Sequence, residues 1–152
     1  MDLYGTAVLL EEVGKVIKKC GVGVTISSQS GKRMKQLTKK DDELLATTDT
    51  NEKRVMFEAC RWAERGARVN SISPGIIVTP LAIDEFNGPR GDFYKNMFAK
   101  CPAGRPGTAD EVANVAELIM SEKGAFITGA DFLIDGGATA SYYYGKLKPE
   151  NK

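Results

Sequence analysis

The residues of this chain best placed for chemistry lie in the stretch Ala67 to Pro80, ARVNSISPGIIVTP. A β-prone run, Arg68-Val69-Asn70-Ser71-Ile72-Ser73, breaks at Pro74-Gly75, where a residue of fixed φ precedes one free to adopt φ > 0. The strand is expected to stop there. Ile76-Ile77-Val78-Thr79-Pro80 follows, too apolar for an ordinary solvated loop, and open α/β folds bind ligands at this place, the carboxyl end of a sheet. The plain alternative is a turn, since Pro-Gly after a strand needs no ligand to explain it. Ser28 ends a second β-branched run, VGVTISS, where neighbouring backbone can also satisfy a hydroxyl. Tyr142 and Lys146 have a Y-x3-K spacing, but Gly145 lies inside it and the tail reads as a surface aromatic cluster.

Composition removes several other chemistries. The chain has no histidine, which excludes His-based triads and His-ligated metals. Its three cysteines, Cys20, Cys60 and Cys101, are widely spaced without a CxxC, so neither a disulfide framework nor a zinc site is indicated. A net charge of +1 gives no electrostatic case for nucleic acid or an anionic membrane. No apolar run reaches transmembrane length, and the acids in MDLYGTAVLLEEVGK do not suit a signal peptide. The default is a cytoplasmic protein, and 152 residues, 42% of them hydrophobic, suffice for one globular domain over 1–152.

The elements that must position these residues follow from periodicity. Asp2 to Cys20 reads as a helix with Leu9, Val13, Val16, Ile17 and Cys20 on its buried stripe, and Val22 to Ser28 as an interior parallel strand. Gln29 to Thr50 is polar and mostly loop. Glu52 to Gly66 is a helix with Val55, Met56, Ala59, Trp62 and Ala63 facing inward, followed by a strand over Arg68 to Ser73. Two helical pieces, Leu81 to Phe86 and Phe93 to Lys100, flank the flexible turn Asn87 to Gly91 and could close over a site as a lid. Thr108-Ala109-Asp110-Glu111 is a capping box opening a helix with Val112, Val115, Ala116 and Ile119 buried. A short strand, Phe132 to Asp135, closes at Gly136-Gly137, and Tyr142, Tyr143 and Tyr144 follow at a surface or oligomer contact. Alternating helices and strands predict an α/β fold: about three parallel strands with flanking helices, half of a Rossmann-like doubly wound sheet.

Several spacings together resemble the short-chain dehydrogenase/reductase family. Asn70, Pro74-Gly75 and Thr79 are similar to its N-x3-P-G-x3-T segment, Gly104-Arg105-Pro106-Gly107 with Glu111-Val112-Ala113 to its G-R-x-G-x-x-x-E-[IV]-A, and Ile127-Thr128-Gly129 with Asp135-Gly136-Gly137 to its final I-T-G and D-G-G. The likeness runs from about Asp2 to Tyr144. It implies an NAD(P)-dependent oxidoreductase that interconverts a small-molecule carbonyl and alcohol. Backbone near Pro74, Gly75 and Ile77 would hold the nicotinamide carboxamide of NAD or NADP, the Thr79 hydroxyl would contact the cofactor, and Ser28 would hydrogen-bond the substrate oxygen. A glycine suits such a site because backbone can then approach a flat ring, and an extended segment offers free N–H and C=O groups to an amide.

The chain also departs from the family's pattern. The position of a catalytic Asn holds Asp2, no glycine-rich turn precedes the first helix, and Asp41 to Lys53 contains no tyrosine where the family's Tyr-x3-Lys pair belongs. The expected activity is therefore impaired or absent in this truncated form. The alternative is a non-catalytic interaction module: the helices from Asp2 and Glu52 resemble those that pair across the family's oligomer interfaces, which implies a homo-oligomer.

Overall fold

In the computed structural model, which describes residues 3–33 and 51–149, Trp62 is the residue around which the first helices and the sheet are fitted. The elements among these residues are α1 (Leu3–Val16), β1 (Val22–Ile26), a 3-10 turn (Gly31–Arg33), α2 (Asn51–Ala63), β2 (Arg68–Pro74), α3 (Pro80–Asn87), α4 (Gly91–Lys100), α5 (Ala109–Met120), a second 3-10 turn (Glu122–Gly124), β3 (Asp131–Ile134) and α6 (Ala138–Tyr144). The strands form one parallel sheet in the order β1-β2-β3, with Val22 to Ile26 beside Arg68 to Ile72 and Ser71 to Pro74 beside Asp131 to Ile134. The α/β class and the three-stranded parallel sheet are those that the alternation of periodicities predicts.

On one face of the sheet α1 and α2 pack over β1 and β2, and the core is Leu10, Val55, Ala59, Trp62, Ala67 and Val69, with Val13 and Ile17 against it. The Trp62 indole occupies a slot that two glycines leave open. A Cβ on Gly14 would stand 2.5 Å from Nε1, and one on Gly23 2.7 Å from the far edge of the ring. The indole N–H donates to the Leu10 carbonyl at 3.1 Å, so burying its polar atom costs little. On the other face α5 buries Ile119, and the Arg68 side chain reaches the end of that helix, donating to the carbonyls of Ile119 (3.0 Å) and Ile127 (2.8 Å).

Three details differ from the sequence reading. Helix α1 ends at Val16, and its inward side is Ala7, Leu10, Val13, Gly14 and Ile17, leaving Leu9, Val16 and Cys20 exposed. The stripe is turned because the slot for Trp62 requires Gly14 on the buried side. In α2, Met56 and Ala63 likewise face outward, while Glu58 is buried, with Arg54 at 2.8 Å and Arg61 at 3.6 Å. That contact is an ion pair without an aligned hydrogen bond, since both Glu58 oxygens lack a hydrogen-bond partner among the described residues. Finally, β1 is an edge among the described residues, with Ile26 61% exposed, although its β-branched composition suits an interior strand.

The expected lid is an αα-hairpin with a small core of its own. Phe86 meets Tyr94 and Phe98 edge to face at 5.2 and 5.3 Å, and the Arg90 guanidinium lies 5.5 Å from the Tyr94 ring. The Tyr94 hydroxyl donates to Glu85, and this carboxylate partner, with burial, raises the phenol above its ordinary range. Asn87 to Gly91 is thus a tight corner. A Cβ on Gly91 would lie 2.3 Å from the Phe86 carbonyl oxygen.

Candidate functional site

The carboxyl ends of β1 and β2 bring Ser28 beside Pro74. Pairing continues past the end of β1, with the Ser27 N–H donating to the Ile72 carbonyl at 2.7 Å and the Gln29 N–H to the Pro74 carbonyl at 3.0 Å. Ser28 therefore sits at the carboxyl end of the sheet, exposed, its hydroxyl oxygen accepting the Ser30 N–H at 3.2 Å. One lone pair and the hydroxyl proton remain for a further partner.

Gly75 owes its identity to the sheet. Its φ is not positive, but a Cβ there would stand 2.7 Å from the Asp135 Cα and 3.0 Å from the Asp135 Cβ. The Gly75 N–H donates to the Ile134 carbonyl at 2.8 Å, so this close approach joins the ends of β2 and β3. Asp135 then leaves the ladder to accept the N–H groups of Gly137 (2.9 Å) and Thr139 (2.7 Å), opening α6. Asn70 is likewise structural: it is buried, donates to the Ile127 carbonyl at 3.1 Å and accepts the Ala130 N–H at 3.1 Å, fastening β2 to the turn before β3.

Ile77 forms a parallel bridge with Gly107, through the Gly107 N–H to the Ile76 carbonyl and the Val78 N–H to the Gly107 carbonyl, each 2.9 Å. In such a bridge the neighbours of Ile77 make the bonds, and its own N–H and C=O point to the opposite side. Neither has a backbone partner among the described residues. By contrast, the Pro74 carbonyl and the Gly75 N–H are already engaged. A donor and an acceptor on the same residue of a fixed extended segment suit a primary carboxamide, so this stretch fits the nicotinamide amide.

The bridge is held from the α5 side by a clamp around Glu111. Thr108 caps α5, its hydroxyl accepting the Glu111 N–H at 3.2 Å, while the Glu111 carboxylate accepts the Thr108 N–H at 2.8 Å, completing the capping box. Arg105 grips the same carboxylate through two bonds of 2.9 and 2.6 Å. The Arg105 fork and the Thr108 N–H hold the Glu111 carboxyl down to about 2. Gly107 leaves room for the Ile77 side chain, whose Cδ1 would lie 2.8 Å from an added Cβ and would have to turn aside.

Thr79 is the N-cap of α3, its hydroxyl accepting the Ala82 N–H at 3.1 Å, with Pro80 in the first helical turn. It thus stands at the base of the lid, exposed. Tyr142 lies under the Arg33 guanidinium at 5.5 Å and Tyr143 donates to the Lys32 carbonyl at 2.7 Å, while Lys146 falls beyond the end of α6. Asp2 and the polar stretch over 34–50 lie outside the described residues.

Under the lid is a cavity of about 200 Å³, with Ile76, Ile77, Met97 and Phe98 among its apolar walls. Gln29, assigned to a loop by its polar sequence context, lines it and is 5% exposed. Only the spatial position of Gln29 reveals this role. No cluster of His, Cys, Asp and Glu suited to a metal exists among the described residues, nor any helix long and apolar enough to cross a membrane.

Comparison with known proteins places these features in a family. A family model described as enoyl-(acyl carrier protein) reductase matches residues 1–139. A short-chain dehydrogenase/reductase of Alternaria brassicicola is 34% identical over 92% of this chain and 61% of its own length, and D-threitol dehydrogenase of Mycolicibacterium smegmatis 34% over 91% and 52%. The chain thus spans between half and two thirds of the length of these relatives. Among solved structures, a 4-hydroxyisoleucine dehydrogenase mutant complexed with NADH and succinate superposes with a TM-score of 0.71 at 30% identity, covering 91% of this chain and 56% of that one. BdcA in complex with NADPH, at 24% identity and a TM-score of 0.69 over 88% of this chain and 52% of that one, shares the fold.

Proposed function

Since the chain belongs to the short-chain dehydrogenase/reductase family, we propose that it carries the nicotinamide side of an NAD(P)-dependent oxidoreductase site for a small carbonyl/alcohol pair. The observation that carries this reading is the Ile77 backbone, whose N–H and C=O face away from Gly107 and have no backbone partner among the described residues. These two groups would hold the carboxamide, and Thr79, at the base of the lid, would add its hydroxyl. A bound nicotinamide supplies hydride exchange with the substrate carbon. Ser28 would donate its free proton to the substrate oxygen and fix its direction. The proton itself needs a general acid, and Asp41 to Lys53 offers no phenol at the family's position. Turnover by this chain is therefore impaired, while binding remains.

The exposed edge of β1 supports a site completed by further strands, since an apolar run with Ile26 61% exposed suits an interior position. The cytoplasm suits a chain with three free cysteines. Titration with NADH and NADPH, followed by nicotinamide fluorescence on chain shown by circular dichroism to be folded, tests the reading. Saturable binding with little carbonyl reduction is expected. A folded chain that binds neither nucleotide would overturn the assignment.

A second reading concerns assembly. Leu9, Met56 and Phe57, on the outer sides of α1 and α2, are 59%, 60% and 53% exposed. These exposed apolar side chains favour a homo-oligomer through the α1/α2 face, or a non-catalytic module that joins one. A defined dimer or tetramer on size exclusion, reduced to monomer by Leu9→Glu, is the expected result. A monomeric wild-type chain would refute it.

A further inference from the structure

We infer that the cavity under the lid is a binding site for a small, largely apolar alcohol whose hydroxyl pairs with the side-chain amide of Gln29. The argument starts from the polar groups of the lining. Each Asp135 carboxylate oxygen accepts a backbone N–H, Arg105 and Glu111 hold each other, and the Cys101 thiol donates to the Gly136 carbonyl at 3.0 Å. Gln29 alone departs from this pattern: its Oε1 is buried and has no hydrogen-bond partner among the described residues.

A buried amide oxygen without a partner is unfavourable, and such groups in folded proteins call for a water, an ion or a ligand. Backbone bonds fix the Gln29 main chain, its N–H to the Pro74 carbonyl at 3.0 Å and its carbonyl from the Lys32 N–H at 3.1 Å. The side chain is therefore held at the wall of a cavity otherwise built from Ile76, Ile77, Met97, Phe98 and Ile134. Shape and lining then define the ligand. An apolar cavity of about 150 Å³ takes up benzene, so about 200 Å³ admits a six-membered ring bearing one polar group. A hydroxyl both donates and accepts, so it satisfies a carboxamide in either orientation. Ser28 does not line this cavity, and the Ile77 N–H and C=O face away from the Gly107 side on which it lies, so the inference stands apart from the proposed oxidoreductase site.

The test uses the chain without any nucleotide, so its failure leaves the cofactor reading untouched. Cyclohexanol is titrated against labelled protein while the Gln29 side-chain amide and the Ile77 and Cys101 backbone amides are followed by nuclear magnetic resonance, with benzene as the apolar probe. Saturable shifts at these positions are expected, with cyclohexanol bound about three- to tenfold more tightly than benzene. Gln29→Met keeps length and apolar bulk; it should fold with no loss of stability and bind both probes equally. Absence of saturable shifts in the wild-type chain, or an unchanged preference for the alcohol in Gln29→Met, overturns the inference.

Discussion

Replacing Gly75 by alanine separates two reasons for a glycine in the Pro-Gly motif. If the residue serves only to let backbone approach a nicotinamide ring, Gly75→Ala weakens nucleotide binding and leaves stability alone. The structure gives a different expectation. The added Cβ would stand 2.7 Å from the Asp135 Cα, 3.0 Å from its Cβ and 3.3 Å from its carbonyl oxygen. Carbon atoms prefer separations of roughly 3.5–4.0 Å, so the ends of β2 and β3 must part by about 0.8 Å or more. No flexible side-chain tip can absorb this, because the nearest atoms are backbone and the first side-chain carbon. Their separation also strains the 2.8 Å bond from the Gly75 N–H to the Ile134 carbonyl and the Asp135 contacts that open α6. Overpacking of this kind costs about 1–3 kcal/mol. For a chain of this size that lowers Tm by roughly 2–12 °C. Gly31→Ala is the control, since a Cβ there meets nothing within 4 Å and stability should hold within about 0.5 kcal/mol. Thermal unfolding followed by circular dichroism compares the three proteins. A Gly75→Ala chain as stable as wild type would refute the packing argument and return the glycine to the cofactor.

Two further perturbations address the ends of the bridge. Thr79→Ala should lose about 1 kcal/mol through the α3 cap, whereas Thr79→Asn keeps a capping group and should keep most of the stability. Both should weaken NADH about three- to tenfold if the hydroxyl touches the cofactor, and unchanged affinity in Thr79→Asn would reduce Thr79 to a cap. Glu111 is held down to about 2 in the folded chain against an ordinary value of 4.5, so its contribution to stability is complete above that value and lost as pH falls towards 2. The stability difference between wild type and Glu111→Gln should therefore shrink across this window. A difference that stays constant with pH would mean that the carboxylate charge contributes nothing.

Much of the frame was legible in the residues because it is local. The capping box at Thr108 and Glu111, the break after Pro74 and the three short strand-forming runs each depend on neighbours in sequence, and each is where the spacing places it. Choices between helix faces were not. Periodicity selected Leu9 and Val16, yet Gly14 faces inward because Trp62, 48 positions further on, needs the room. Helix α6 carries no capping signal at its own N-cap, Gly137, because its opening N–H groups are served by the Asp135 side chain from before the glycine pair. Gln29 was hidden among polar neighbours, and only the fold shows that its amide is buried. The candidate site divides in the same way. Asn70 and Gly75, which carry the motif, have structural roles, while the Ile77 backbone, named through the family resemblance, keeps an N–H and a C=O without a backbone partner among the described residues.

The most direct measurement follows backbone amide resonances while NADH is added to the folded chain. The Ile77 N–H, turned away from Gly107, should shift saturably and more than the Gly107 N–H, which is held by the Ile76 carbonyl. Saturable fluorescence of NADH with an unmoved Ile77 amide would contradict the account by placing the nicotinamide elsewhere.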